Sequence, residues 1–138
     1  MKRKLNSILL IEDDRATNFL YEMIIEKTDC TEQILIAEEG QQALEILKLG
    51  VEGKYPQPDL IFLDINMPVM NGWEFIEEYK KLDLIQKGEI IIVMITASFN
   101  PDEQTRAETI KEISGFRNKP ITVDMLNKIL QEYFADRF

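Results

Sequence analysis

Asp59-Leu-Ile-Phe-Leu-Asp-Ile-Asn-Met-Pro-Val-Met-Asn-Gly72 joins an apolar run, an acid and a turn-rich loop in one stretch. A short apolar run bounded by Asp and Pro reads as a strand covered on both faces of a parallel sheet, with Asp64 delivered to its carboxyl end. Three other segments end the same way: Ser7-Ile-Leu-Leu-Ile11 in Glu12-Asp13, Ile90-Ile-Ile-Val-Met-Ile95 in Thr96, and Gly115-Phe-Arg-Asn118 in Lys119-Pro120. In an open parallel sheet those ends line one edge, where such folds build their sites. Three carboxylates, a hydroxyl and an ammonium are expected to meet there, a grouping suited to a divalent cation and a phosphoryl group.

Between the runs the apolar period changes to that of helices. Ala16, Phe19, Leu20, Met23 and Ile24 recur at three- and four-residue spacing behind Asp14, a plausible N-cap. A second strand is expected at Gln33–Ala37. Gly40 to Leu49 predicts a helix with Ala43, Leu44 and Leu47 inward, closed by Gly50. Val51 to Pro58 reads as a surface loop, longer than the connection requires. Trp73 to Leu82 is the next helix. Asn100-Pro-Asp-Glu103 offers an N-cap, a proline at the first helical position, first-turn acids and a capping-box glutamate. A last helix carries Val123, Leu126, Ile129, Leu130, Tyr133 and Phe134. Five strands alternating with five helices make an α/β three-layer sandwich, and right-handed crossovers favour the flavodoxin-like parallel order 2-1-3-4-5.

The chain has one domain's length, 138 residues, so residues 1–138 are expected to form a single domain whose output comes through a partner. A net charge of −9 opposes binding to nucleic acid or anionic membrane and points to a protein partner. The single Cys30 has no cysteine to pair with and reads as an inert thiol in a reducing compartment. Met1-Lys-Arg-Lys4 and the apolar stretch behind it stop at Glu12-Asp13-Asp14, too soon for a secretory signal, and no stretch approaches a membrane span. The expected location is the cytoplasm.

From Ile8-Leu-Leu-Ile-Glu-Asp-Asp14 through the Asp59–Gly72 segment and Ile95-Thr-Ala97 to Asn118-Lys-Pro120, the sequence resembles the response-regulator receiver domains of two-component signalling. The resemblance implies a phosphoacceptor at Asp64, an acidic pair at Glu12 and Asp13, a hydroxyl switch at Thr96, the family's lysine at Lys119 followed by a cis peptide bond to Pro120, and a rotating aromatic at Phe116. It also implies a stand-alone receiver without an output domain, phosphorylated by a sensor histidine kinase or a histidine phosphotransfer protein and read by a downstream protein target. The chain contains no histidine, so the donor must be another protein or a small phosphodonor.

The chemistry of the residues is consistent with those roles. Mg2+, with Mn2+ as the alternative, prefers hard oxygen ligands and keeps several waters; Asp13, Asp64 and the backbone carbonyl of Asn66, with Glu12 acting through water, form a suitable partial shell. A carboxylate is a competent nucleophile for phosphoryl transfer, and Lys119 can pair with Asp64 and then with a phosphoryl oxygen. Glu12 stands where many receivers carry Asp, Phe116 replaces the commoner Tyr, and Asn66 and Ser98 are neutral and small enough to admit water. Met125, Phe134 and Phe138 near the last helix are candidates for a partner or homodimer patch. Two other classes fit less well. A haloacid-dehalogenase-type phosphohydrolase would carry its nucleophile after the first strand, and a flavodoxin would have a Ser/Thr/Gly-rich phosphate loop where this chain has Glu12-Asp13-Asp14.

Overall fold

A computed structural model describes residues 4–51, 57–82 and 89–137. Five parallel strands, β1 (Leu5–Ile11), β2 (Thr31–Ala37), β3 (Leu60–Asp64), β4 (Ile91–Thr96) and β5 (Gly115–Asn118), lie in the order β2-β1-β3-β4-β5. The helices between and after them are α1 (Arg15–Thr28), α2 (Gly40–Val51), α3 (Gly72–Lys80), α4 (Pro101–Glu108) and α5 (Val123–Tyr133). This is the flavodoxin-like sandwich the alternation predicts.

The register sets up the functional edge. Ile11 pairs with Leu63, Asp64 with Ile95, and Thr96 with Asn118, so the residues that follow each strand emerge side by side. Successive side chains on a strand face opposite ways, and the core divides accordingly. Leu9, Ile11, Ile61, Leu63, Ile92 and Met94 pack with α2 and α3, whereas Ile8, Leu10, Leu60, Phe62, Val93 and Ile95 pack with α1 and α5. Every β3 residue is buried, which is why its sequence is an apolar run without alternation.

Three expectations need correction. The apolar stripe of α1 does not face the sheet: Phe19, Leu20 and Met23 are more than half exposed, while Asn18, Tyr21 and Ile25 are buried. Polar anchors set the phase of this helix. Asp14 caps it by accepting from the Thr17 N–H and hydroxyl, and the Asn18 amide donates to the Glu12 carbonyl at 2.8 Å. Second, Gly50 does not end α2, which continues to Val51; residues 52–56 of the expected 51–58 loop lie outside the described residues. Third, two of the three apolar residues weighed as a patch near α5 pack toward the core instead. Phe134 is buried and Met125 packs against the same core; Phe138 lies outside the described residues. Among the described residues no helix is long and apolar enough to cross a membrane.

Candidate functional site

Glu12 and Asp13 leave β1, Asp64 ends β3, and Lys119 leaves β5; the four meet at the carboxyl edge of the sheet. Carboxylate oxygens of Glu12, Asp13 and Asp64 lie within 4.8 Å of one another. The Lys119 ammonium reaches Glu12 Oε1 at 2.5 Å and Asp64 Oδ1 at 3.2 Å, so it bridges two acids and sits nearer the one that was not expected to be its partner. Glu12 Oε2 accepts the Asp14 N–H at 3.2 Å. Glu12 and Asp64 are buried, and Asp13 is the more open of the three acids.

Burial dominates the electrostatics. It raises Glu12 to about 7 against the opposing hydrogen bond from Lys119, and it raises Asp64 in spite of the Lys119 charge and a hydrogen bond from the Asn66 backbone. Burial pulls Lys119 down, but the hydrogen bond to Glu12 and the charge of Asp64 outweigh it, so the ammonium is held above its ordinary range. Three carboxylates against one ammonium leave surplus negative charge in a desolvated pocket. An oxygen-rich, net-negative cluster of this kind fits a hard divalent cation.

The loop after β3 is tightly pinned. Gly72 N–H donates to the Ile65 carbonyl at 2.8 Å, and Met70 N–H donates to Pro68 O at 2.7 Å around Val69, whose φ of 67° is rare for a β-branched residue. Asn71 accepts from the Glu74 N–H at 2.9 Å and Glu74 returns the bond to the Asn71 N–H at 3.0 Å, a closed capping box that starts α3. Val69 at 91% and Phe99 at 86% exposure stand on the loops after β3 and β4.

Thr96 is fully buried, and its backbone carbonyl accepts the Lys119 N–H at 2.7 Å, tying the ends of β4 and β5 together. Its hydroxyl donates to Glu103 Oε1 at 3.1 Å and accepts the Ser98 N–H at 3.0 Å. The expected capping box at Asn100–Glu103 is therefore absent. Asn100 does cap α4 through the Asp102 N–H, but its own N–H goes to Ser98 Oγ at 3.1 Å and Glu103 is spent on Thr96. Glu103 is the site residue that sequence reading missed; Ser98, two positions before the cap, was the available signal. Phe116 is half-buried and packs against the core on the α2 and α3 side of the sheet, and the Lys119-Pro120 bond is cis. Cys30 is buried and burial pushes its thiol up to about 11, in keeping with an inert role.

The family model described as the response regulator receiver domain matches residues 8–131. The chain belongs to that family. The receiver is 31% identical over 99 residues to the response regulator Rcp1 of Synechocystis sp., an alignment covering 70% of this chain and 65% of Rcp1. A crystal structure of a two-component response regulator from Cytophaga hutchinsonii superposes with a TM-score of 0.87 at 33% identity, covering 96% of the receiver and 99% of that chain. The Mn2+-bound form of Rcp1 superposes with a TM-score of 0.72 at 25% identity, covering 96% of each chain. Receivers are signalling proteins of two-component systems, and the acidic cluster here is compatible with a divalent metal.

Proposed function

We propose that this receiver accepts a phosphoryl group on Asp64 from a histidine kinase or histidine phosphotransfer protein, and that the modification changes which protein it binds. The observation that carries the proposal is the buried Asp64 carboxylate with the Lys119 ammonium 3.2 Å away and the Glu12 and Asp13 oxygens within 4.8 Å. Asp64 attacks phosphorus as the nitrogen–phosphorus bond of the donor breaks, and the imidazole leaves with the electron pair. Lys119 passes from the carboxylate to a phosphoryl oxygen and offsets charge there. Mg2+, or Mn2+, held by Asp13, Asp64 and the Asn66 carbonyl with Glu12 through water, would neutralise charge on the transferring group. Apart from its own phosphorylation and slow dephosphorylation the receiver has no enzymatic role in this reading.

The donor protein must bring its histidine to a pocket flanked by the start of α1. The exposed Phe19, Leu20 and Met23 on that helix provide apolar area for a protein to cover, which favours a protein donor over a small one. The charge of −9 disfavours nucleic acid, and the lone buried thiol fits a cytoplasmic setting. Once phosphorylated, Asp64 draws the Thr96 hydroxyl toward it and Phe116 follows into the space released, reshaping the surface of α4, β5 and α5. Incubation with acetyl phosphate and Mg2+, read by intact mass, should add one phosphoryl group, and both EDTA and Asp64→Asn should abolish it. A modification that persists in Asp64→Asn removes the proposal.

A further inference from the structure

We infer that Glu103 is a positioning residue for the Thr96 hydroxyl, holding it away from the phosphoacceptor until a phosphoryl oxygen outcompetes the Glu103 carboxylate. The inference rests on the reading of Asp64 as the phosphoacceptor. A threonine hydroxyl has one proton to donate. In this structure that proton is committed: Thr96 Oγ1 accepts from the Ser98 N–H at 3.0 Å and donates to Glu103 Oε1 at 3.1 Å. A charged acceptor makes a stronger bond than a neutral one, so the hydroxyl is released only to an acceptor of comparable charge. A phosphoryl oxygen on Asp64 qualifies, because Asp64 lies opposite Ile95, the residue before Thr96.

Glu103 is free to do this because Ser98 does its local work. In a capping box the glutamate at the third helical position would take the N–H of the cap residue. Here Ser98 Oγ takes the Asn100 N–H at 3.1 Å, and the glutamate turns to β4 instead. The helix it belongs to is lightly anchored, with Ala107 its buried residue and Arg106 stacked 4.3 Å from the Trp73 ring centre. Breaking the Thr96–Glu103 bond thus frees the first turn of α4, and Trp73, the chain's single tryptophan, reports on it.

Beryllofluoride with Mg2+, a stand-in for the phosphoryl group, should be titrated into the intact protein and binding followed by Trp73 fluorescence and calorimetry. Ser98→Ala keeps every charge but frees the Asn100 N–H to recapture Glu103. It should tighten binding roughly three- to tenfold, the scale of one ordinary net hydrogen bond. Glu103→Ala should tighten at least as much, and Glu103→Gln, which keeps a weaker acceptor, less. In a Thr96→Ala background Ser98→Ala should have no effect, and Glu103→Ala should retain only the part due to the lost charge. An equal effect of Ser98→Ala with and without Thr96, or none with Thr96 present, overturns the inference. Failure of the unsubstituted receiver to bind beryllofluoride overturns the phosphoacceptor reading itself.

Discussion

Two helices of this receiver begin with the same spacing, Asn71-Gly-Trp-Glu74 at α3 and Asn100-Pro-Asp-Glu103 at α4, and the two glutamates do different things. Glu74 closes its capping box at 3.0 Å, whereas Glu103 reaches back to Thr96 at 3.1 Å. The first helical residue differs too. Gly72 is buried against the backbone of Asp64 and Ile65, while Pro101 is exposed. Below the first turn, α3 buries Phe75, Ile76 and Tyr79, but α4 buries Ala107. One start fixes the end of β3 and the other, in the reading proposed above, is poised to let go. The pattern is the same, and what decides between the outcomes is whether a neighbour such as Ser98 already satisfies the cap residue's N–H.

The comparison breaks most severely at Gly72. A Cβ there would stand 2.8 Å from the Asp64 carbonyl oxygen and 3.0 Å from Ile65 Cα, backbone atoms that cannot swing aside. Gly72→Ala should cost about 3 kcal/mol in urea unfolding and depress phosphorylation of Asp64, because the loop carrying it must shift. At the equivalent position of α4, Pro101→Ala should change stability by about 0.5 kcal/mol or less. Equal costs at the two positions would mean that α3 is no more rigidly seated than α4.

The next largest effect is a load placed on the pocket that α3 closes. Between pH 4.5 and about 7 the metal-free folded chain keeps a proton on Glu12 that the unfolded chain has released. The contribution of Glu12 to stability should therefore fall as pH rises through that window. With the loop after β3 pinned by Gly72, the load should appear in global unfolding in the presence of EDTA, and Mg2+ should flatten the slope by competing with the proton. A stability that rises from pH 4.5 to 7 without metal would contradict the buried, desolvated Glu12.

The sequence made the sheet legible for a physical reason: β1, β3 and β4 are buried on both faces, so burial writes itself as an apolar run, and each run ends where the chain meets solvent at the site. The same logic located Glu12, Asp13, Asp64 and Thr96 at strand ends, while Lys119 follows β5, a strand that is only partly buried. It failed where a side chain had more than one polar partner to choose from. On α1 the apolar spacing suggested an inward face, but Asp14 and Asn18 fixed the rotation and left Phe19, Leu20 and Met23 in solvent. At α4 the capping-box pattern was present, but its bond was outbid by Ser98. Lys119 bridging to Glu12 was likewise invisible, since residues 107 positions apart meet through the fold alone. Polar wiring is set by a competition among near-equal bonds, and one-dimensional spacing does not list the competitors.

Removing the caps should sharpen the contrast at about 1–2 kcal/mol. Asn71→Ala removes the side-chain acceptor of the Glu74 N–H and leaves the backbone N–H at 71 bonded to Glu74; on a helix that buries Phe75, Ile76 and Tyr79 it should sit at the upper end of that range, whereas Asn100→Ala removes one bond to Asp102 from a lightly seated helix and should cost about 1 kcal/mol or less. Hydrogen exchange should distinguish them further, with Asn71→Ala exposing amides along α3 and Asn100→Ala affecting α4 locally.

The smallest difference in stability separates the two helix starts best. Glu74→Ala loses the return bond to the Asn71 N–H and a favourable first-turn acid, about 0.5–1 kcal/mol, and should leave metal-dependent phosphorylation unchanged because its exposed side chain is bonded to Asn71. Glu103→Ala loses a first-turn acid and also the acceptor of the buried Thr96 hydroxyl, so its cost should be about 1 kcal/mol or more, and by freeing that hydroxyl it should alter phosphoryl-mimic binding. The two variants should thus cost similar stability while only Glu103→Ala moves signalling. Urea melts and beryllofluoride titrations on the same pair of variants measure both axes. If Glu74→Ala changes beryllofluoride affinity as much as Glu103→Ala does, the division into a fixed start and a releasing start is wrong, because an acid at either helix would then act only through its charge.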